Sequence, residues 1–220
     1  MKKIIYLISA LISFPLSAVT LSTPAGKPVE RAGMILIKDY NGTPCVLVGK
    51  SKHITSAKVV NFPAGVCDAG DTYTSRTAAR EAKEETGGLL TYKSSKIRNM
   101  PYVYANKHQL FVKKTKASVT ALTQAVRAAQ LNPSLGHAYK EIDQYYAIPV
   151  QNLLNAAKAV NGSRVNGRIN QAAIVRNGLN KIKSRNGHDL VFESHYLSTI
   201  AKDYKNAKNI FESLTGKKFS

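Results

Sequence analysis

The first third of the chain begins with two apolar runs that are separated by a polar turn. Residues 32–37 and residues 45–49 are almost entirely apolar, and each run predicts a buried strand. Asn41 and Gly42 lie between them and form the dipeptide that favours a tight hairpin turn. The pattern therefore predicts a β-hairpin over residues 32–49.

A helix follows after a loop that is rich in glycine and aspartate. Thr74 or Ser75 can cap a helix over residues 72–86, and Gly87 and Gly88 come directly after it. Glycine after the last helical residue relieves the strain of a left-handed terminal turn. We therefore expect this helix to end at Thr86.

The remainder of the chain alternates between short predicted strands and helices. We expect strands at 100–104, 109–113 and 145–150, a helix or a long excursion at 120–130, and a helix at 151–160. Residues 161–187 are rich in Asn, Gly and Arg and are interpreted as a basic insertion, with helical potential at 171–175. Apolar residues at three- and four-residue spacing predict a closing helix over 193–214. This irregular order favours a mixed α/β sandwich over a doubly wound sheet.

The first eighteen residues have the composition of a secretory signal peptide. Lys2 and Lys3 precede an apolar run over residues 4–14, and Pro15 and the small residue Ala18 follow it. The alternatives are a buried N-terminal helix or a membrane anchor, but the run is shorter than the roughly 20 residues that span a bilayer. We expect cleavage after Ala18 and export to a periplasm or the exterior, which leaves one domain over residues 19–220 without a transmembrane segment.

The composition is that of a globular protein with a strong excess of positive charge. The 220 residues include 32 Lys and Arg against 13 Asp and Glu, which gives a formal net charge of +19. Such a surface attracts nucleotides, nucleic acid or anionic membranes, and the charge alone does not choose among them. Two cysteines exclude a four-cysteine zinc site. Cys45 and Cys67 either pair in an oxidising compartment or remain separate thiols, and the sequence leaves both open.

Three glutamates project from one face of the predicted helix. Glu81 lies three residues before Glu84 and four before Glu85, so their side chains are neighbours on the helix surface. Carboxylates crowded in this way repel one another unless a cation lies among them, and their oxygens suit a hard ion such as Mg²⁺ or Mn²⁺. The same string is also typical of a solvated helix face. Its position after a hairpin and a Pro63-Ala64-Gly65 loop favours the cation site.

Basic residues near this helix are candidates for contacts with the substrate. Arg80 can neutralise part of the carboxylate charge and hold one glutamate in place. Lys50 and Lys52, with His53 and Lys58, lie in the loop before the glycine loop, where they either contact substrate phosphates or form a solvated basic surface.

Together these residues resemble the signature of the Nudix hydrolases, G-x5-E-x7-R-E-U-x-E-E-x-G-U, where U is apolar. Gly65 matches the first glycine, and Asp71 stands at the position of the first glutamate. The second half matches at Arg80, Glu81, Ala82, Glu84, Glu85 and Gly87. Eight residues rather than seven separate Asp71 from Arg80, and Gly88 replaces the last apolar residue. Residues 141–150 also resemble the later E-x5-W-h-P-h segment of the family, where h is apolar.

The resemblance implies an α/β/α sandwich with a mixed central sheet and a metal-dependent pyrophosphohydrolase. The substrate would be a nucleoside diphosphate linked to another moiety. Family membership would place Mg²⁺ or Mn²⁺ on Glu81, Glu84, Glu85 and the backbone carbonyl of Ala64. Glu84, Glu85 or Glu141, with Asp143 behind it, would accept the proton of the attacking water. The alternative is a weakly active or inactive Nudix module that binds nucleotides, RNA or anionic surfaces through its basic face.

Overall fold

The fold is described from a computed structural model, which covers residues 19–52, 58–164 and 168–220. The strands are β1 (Leu21–Ser22), β2 (Pro28–Val29), β3 (Arg31–Tyr40), β4 (Thr43–Ser51), β5 (Val59–Asn61), β6 (Ala64–Val66), β7 (Tyr102–Ala105), β8 (His108–Lys114), β9 (Ile142–Pro149), β10 (Lys181–Lys183) and β11 (Asp189–Phe192). The helices are α1 (Thr74–Glu85), α2 (Ser94–Ile97), α3 (Val119–Leu131), α4 (Val150–Gly162), α5 (Gln171–Arg176), α6 (Ser194–Lys202) and α7 (Tyr204–Thr215). A 3₁₀ turn covers His137–Lys140.

The predicted hairpin is confirmed and forms the centre of the sheet. Strands β3 and β4 pair antiparallel, and Asn41 and Gly42 have φ angles of 52° and 80° in the turn between them. The Oδ1 atom of Asp39 accepts a hydrogen bond from the backbone N–H of Gly42 at 2.7 Å. A turn with two left-handed residues matches the twist of the flanking strands, which is why Asn-Gly is favoured there.

Nine of the described strands form one mixed sheet around this hairpin. Strand β3 pairs parallel with β8 and antiparallel with the short strand β6, and strand β9 lies along β4. Strand β5 joins β4 to the C-terminal hairpin of β10 and β11, with β11 running parallel to β5. Parallel pairing of this kind brings segments that lie far apart in the chain to neighbouring positions in the sheet.

Helices cover both faces of the sheet, as the sandwich prediction requires. One core cluster includes Leu122 of α3 and Ala78 of α1, and the other includes Leu153 of α4, Leu197 of α6 and Phe211 of α7. Cys45 and Cys67 lie in the first cluster as buried, free thiols. Among the described helices, none combines the length and hydropathy needed to cross a membrane. The α/β sandwich predicted from the sequence is therefore present.

The signature helix ends where the sequence predicts, but it begins differently. Helix α1 covers Thr74–Glu85, and Gly87 follows with a φ of 63°. The expected caps Thr74 and Ser75 are wrong, because Tyr73 is the N-cap residue and makes no capping hydrogen bond through its side chain.

One prediction for the C-terminal region is also wrong, and another stays a prediction. The segment predicted as a basic insertion, residues 161–187, contains helix α5 and strand β10, whose Ile182 is buried in the core, while residues 165–167 lie outside the described part; that it is an insertion stays a prediction. The predicted single closing helix is divided at Asp203 into α6 and α7. The Asp203 carboxylate accepts a hydrogen bond from the backbone N–H of Tyr104 at 3.0 Å, so this residue serves a tertiary contact at the break.

Candidate catalytic cleft

Helix α1 packs its acidic face against the short strand β6. Glu81 and Glu85 are largely buried, with 8% and 6% of their surface exposed. Gly65 of β6 lies so close to the helix that an added Cβ would stand 2.2 Å from Oε1 of Glu81. Glycine is therefore required at this position because the strand backbone contacts the Glu81 carboxylate.

The glutamates open into a cleft of about 340 Å³ between β6, the start of α6 and the loop before β9. Six residues predicted as site residues line it: Ala64, Arg80, Glu81, Glu84, Glu85 and Glu141. The structure thus brings the later acid Glu141 to the same cleft as the helix glutamates. Four further polar residues of the cleft wall were not predicted as site residues: Arg31, Asn61, Glu193 and Tyr196.

Arg80 connects the acidic residues of the site. Its Nη1 atom lies 2.6 Å from Glu81 Oε1 and 3.2 Å from Glu84 Oε2. Its Nη2 atom lies 3.0 Å from Asp68 and 3.2 Å from Asp71. A guanidinium with several carboxylate partners is held firmly and shares its charge among them. Arg80 therefore acts as an organiser of the cleft wall in this arrangement, and its contact with substrate stays a prediction.

The irregular part of the signature lies beneath the helix. Oδ2 of Asp71 accepts hydrogen bonds from Thr77 Oγ1 at 2.9 Å and from Arg80. Asp71 is buried and is not part of the cleft wall. The shorter acid and the extra residue before Arg80 are thus accommodated at the junction between loop and helix, and the three helix glutamates keep their places.

Burial favours the protonated form of all three helix glutamates. It raises the pKa of Glu81 to about 7 against the opposing effect of Arg80, and it also raises the pKa of Glu84. The pKa of Glu85 is raised well above its usual value by burial, with the Glu81 and Glu141 carboxylates adding to the effect. Buried negative charge of this kind is unstable unless a cation or hydrogen bonds compensate it.

One oxygen of this set differs from the others in its contacts. Oε2 of Glu85 is buried without a hydrogen bond among the described residues. No three acidic, histidine or cysteine side chains in the described ranges are gathered closely enough to hold a metal ion, and Arg80 occupies oxygens of Glu81 and Glu84. The donor set nevertheless fits a hard divalent cation in kind, because Glu81, Glu84 and Ala64 line the same cleft as this carboxylate oxygen. Binding would require carboxylate oxygens to leave Arg80.

The predicted lysines lie outside the cleft wall. Nζ of Lys50 forms an ion pair with Asp143 Oδ2 at 2.7 Å, so the charge of Lys50 is already balanced by a protein carboxylate. Lys52 is exposed, and its backbone N–H donates to the carbonyl of Glu141 at 2.8 Å. His53 lies outside the described residues. Contacts of Lys50 and Lys52 with substrate, and a role for Asp143 behind Glu141, therefore stay predictions.

The cleft residues that the sequence analysis missed come from segments far apart in the chain. Arg31 begins β3 and has no carboxylate within ion-pair distance among the described residues. Glu193 and Tyr196 stand 132 residues from the partners they contact, Asn61 and Ala64. No local pattern in the sequence announces these residues, because their position depends on the parallel pairing of β11 with β5.

The solved structures to which the chain shows a similarity include the following three. A MutT/nudix family protein from Enterococcus faecalis has a TM-score of 0.43 and 15% identity, covering 88% of this chain and 70% of its own. A NUDIX hydrolase from Alicyclobacillus acidocaldarius has a TM-score of 0.35 and 17% identity, covering 60% of this chain and 83% of its own. An Ap4A hydrolase from C. elegans, in a binary complex, has a TM-score of 0.34 and 15% identity, covering 57% and 83%. A search of curated proteins gives no match.

Family membership itself rests on the sequence. The family model described as the NUDIX domain matches residues 27–165, which is more than half of the chain and includes the hairpin, the glycine loop, helix α1 and strand β9. The resemblance inferred from the signature is therefore confirmed: the chain belongs to the Nudix hydrolase family.

Proposed function

We propose that this protein is a metal-dependent pyrophosphohydrolase that cleaves the phosphoanhydride bond of a nucleoside diphosphate linked to another moiety. The observation that carries the proposal is Oε2 of Glu85, which is buried without a hydrogen bond to any residue that the structure describes and lies in a cleft with two further glutamates of the signature. A cation bound there would compensate carboxylates that burial otherwise drives towards protonation.

Glu81, Glu84 and Glu85 would hold the cation, together with the carbonyl of Ala64. Carboxylate and carbonyl oxygens favour Mg²⁺ or Mn²⁺. When bound, such an ion polarises phosphoryl oxygens and lowers the pKa of water at neutral pH. The remaining work falls to the protein, which must bind the diphosphate, hold a water near it and remove the water's proton.

Glu141 is the best placed of the three candidate bases to take that proton. It lines the cleft, and 46% of its side chain is exposed, so solvent can reach it. Glu84 and Glu85 are more buried and are committed to the cation in this account. A general base must lie within hydrogen-bond reach of the water it activates, and Glu141 can meet that condition from the cleft mouth.

Arg31 is the cleft cation that can contact the substrate phosphates. Arg80 is engaged by protein carboxylates, whereas Arg31 lines the cleft without one among the described residues. The net charge of +19 would draw an anionic substrate towards this surface and extends the proposed partners to nucleic acid.

We also propose export, directed by residues 1–18. Detection of the mature protein in the cytoplasm with an uncleaved N-terminus would refute that part.

A substrate panel tests the proposed function. Protein lacking residues 1–18 is incubated with nucleoside triphosphates, nucleotide sugars, dinucleoside polyphosphates, ADP-ribose and capped RNA, each with Mg²⁺, with Mn²⁺ and with chelator. We expect cleavage of at least one class, lost with chelator. Folded protein that cleaves none of them and binds RNA with a steep salt dependence would instead support the non-catalytic binding module.

A further inference from the structure

The start of helix α6 forms one wall of the catalytic cleft. Glu193 and Tyr196 line the cleft, yet both lie beyond residues 27–165, where the Nudix domain match ends. The part of the chain that follows this domain therefore reaches the same space as the signature glutamates.

Backbone contacts fix this wall against the glycine-loop segment. Strand β11 pairs parallel with β5, and the backbone N–H of Glu193 donates to the carbonyl of Val60 at 3.0 Å. Tyr196 is 1% exposed and packs edge-on to Phe62, with ring centroids 6.4 Å apart. A side chain so enclosed has little rotamer freedom left, so its hydroxyl is held at one place in the cleft.

Two hydrogen bonds lead from this wall to the opposite side. The hydroxyl of Tyr196 donates to the carbonyl of Ala64 at 2.9 Å, on the side of the cleft that Arg31 also lines. Oε2 of Glu193 accepts a hydrogen bond from Nδ2 of Asn61 at 3.2 Å. Both contacts end on residues of the cleft wall: Ala64 comes directly before Gly65, and Asn61 ends strand β5.

We propose that Tyr196 and Glu193 are positioning residues of the catalytic cleft, so that the C-terminal segment is a working part of the site as well as of the core. Tyr196 orients the Ala64 carbonyl towards the cation. Glu193 holds Asn61 and adds negative charge to the cleft wall. The inference rests on the proposed function, because it gives Ala64 a role in holding a divalent cation.

The size of the effect follows from the loss of one buried hydrogen bond. Without the Tyr196 hydroxyl, the Ala64 carbonyl keeps its place in β6 but loses the donor that fixes its direction. A hydrogen bond of this kind changes an equilibrium by about tenfold. We therefore expect Tyr196→Phe to weaken Mn²⁺ binding about tenfold in the absence of substrate.

The control is a second tyrosine of the same segment. The hydroxyl of Tyr204 is buried without a partner among the described residues and does not line the cleft, so Tyr204→Phe removes the same group without breaking a contact. Mn²⁺ affinity is measured by calorimetry for both variants, and kcat/KM is measured over a range of Mn²⁺ concentrations. The loss in Tyr196→Phe should shrink as Mn²⁺ is raised, whereas a purely structural defect would not respond to Mn²⁺.

Glu193→Gln supplies a second test that does not depend on the folding of Tyr196→Phe. It keeps the side-chain volume and an acceptor for Asn61 but removes the charge, and we expect Mn²⁺ binding to weaken about threefold or more. Asp189→Asn, which removes an exposed charge from the neighbouring hairpin, should leave Mn²⁺ affinity unchanged.

The outcomes separate this inference from the proposed function. Wild-type hydrolysis with Tyr196→Phe and Glu193→Gln both within twofold of their controls in Mn²⁺ affinity would overturn the inference alone. Wild-type protein that neither binds Mn²⁺ nor hydrolyses any nucleotide would refute the proposed function and this inference with it.

Discussion

Substitution of Gly65 by alanine should produce a folded protein with little activity. The added methyl carbon would lie 2.2 Å from Oε1 and 2.4 Å from Cδ of Glu81, where ordinary contacts begin at 3.4 Å. Gly65 has no left-handed φ, so alanine itself fits the backbone, and the flexible Glu81 side chain must retreat by about 1 Å. A displacement of that size at a reacting centre lowers the rate about 100-fold. Weakening the 2.6 Å contact with Arg80 should destabilise the protein by only about 1–2 kcal/mol.

Two other glycines provide the comparison. Gly70 lies in the same loop, and an added Cβ there meets no atom within 4 Å, so Gly70→Ala should keep full activity. At Gly33 an added Cβ would lie 2.4 Å from the backbone oxygen of Pro63, which cannot move away cheaply, and Gly33→Ala should destabilise by about 3 kcal/mol. Urea unfolding and kcat/KM are measured for all three variants. A Gly65→Ala protein with more than half of the wild-type activity, or one as unstable as Gly33→Ala, would refute the reasoning.

Three further predictions concern charge and thiols. Arg80→Met leaves the carboxylates around it without a counter-charge and should lower the free energy of unfolding by about 3 kcal/mol in urea; an unchanged urea midpoint would contradict the organising role of Arg80. The folded-state pKa of Glu81 is raised from 4.5 to about 7, so in chelator the stability contributed by this group is full below pH 4.5 and falls, by about 3 kcal/mol, as the pH rises through 7. Glu81→Gln should remove this dependence of the free energy of unfolding on pH. A pH dependence of equal size in the variant would show that another group causes it. Burial raises the pKa of Cys45 to about 11 and also raises that of Cys67, so a thiol reagent at pH 8 should react with both only after unfolding; rapid labelling of native protein would show that the thiols are accessible.

Local signals predicted the central part of the fold. Asn41 and Gly42 identify the hairpin, and Gly87 identifies the end of helix α1, because each adopts a backbone conformation that few other residues tolerate. The C-terminal region was predicted less well. Strands β10 and β11 are three and four residues long. Strand β11 joins the sheet by pairing with β5, which lies more than a hundred residues earlier in the chain, and β10 pairs with β11.

The candidate site divides in the same way. Glu81, Glu84 and Glu85 were predicted from helix periodicity alone, since a spacing of three and four residues places them on one face. Glu193 and Tyr196 reach the cleft only through the register of β11 against β5, and Arg31 only through the register of β3 against β6. Register between distant strands is set by the packed core, so a single sequence carries no local sign of it.

The central claim is that the signature glutamates of this cleft support cleavage of a phosphoanhydride bond, and Glu85→Gln tests it most directly. The substitution keeps the volume of a residue that is 6% exposed. It removes the charge of a carboxylate whose Oε2 has no hydrogen bond within the described part of the chain. Removal of a residue that only hydrogen-bonds to a metal ligand lowers metal affinity or activity about 10- to 100-fold. Removal of a direct ligand should therefore lower kcat/KM by about 100-fold or more on the substrate found in the panel. Glu30→Gln, which changes an exposed residue paired with Lys107, serves as the control and should retain wild-type activity. A folded Glu85→Gln protein with the activity of that control would contradict the account.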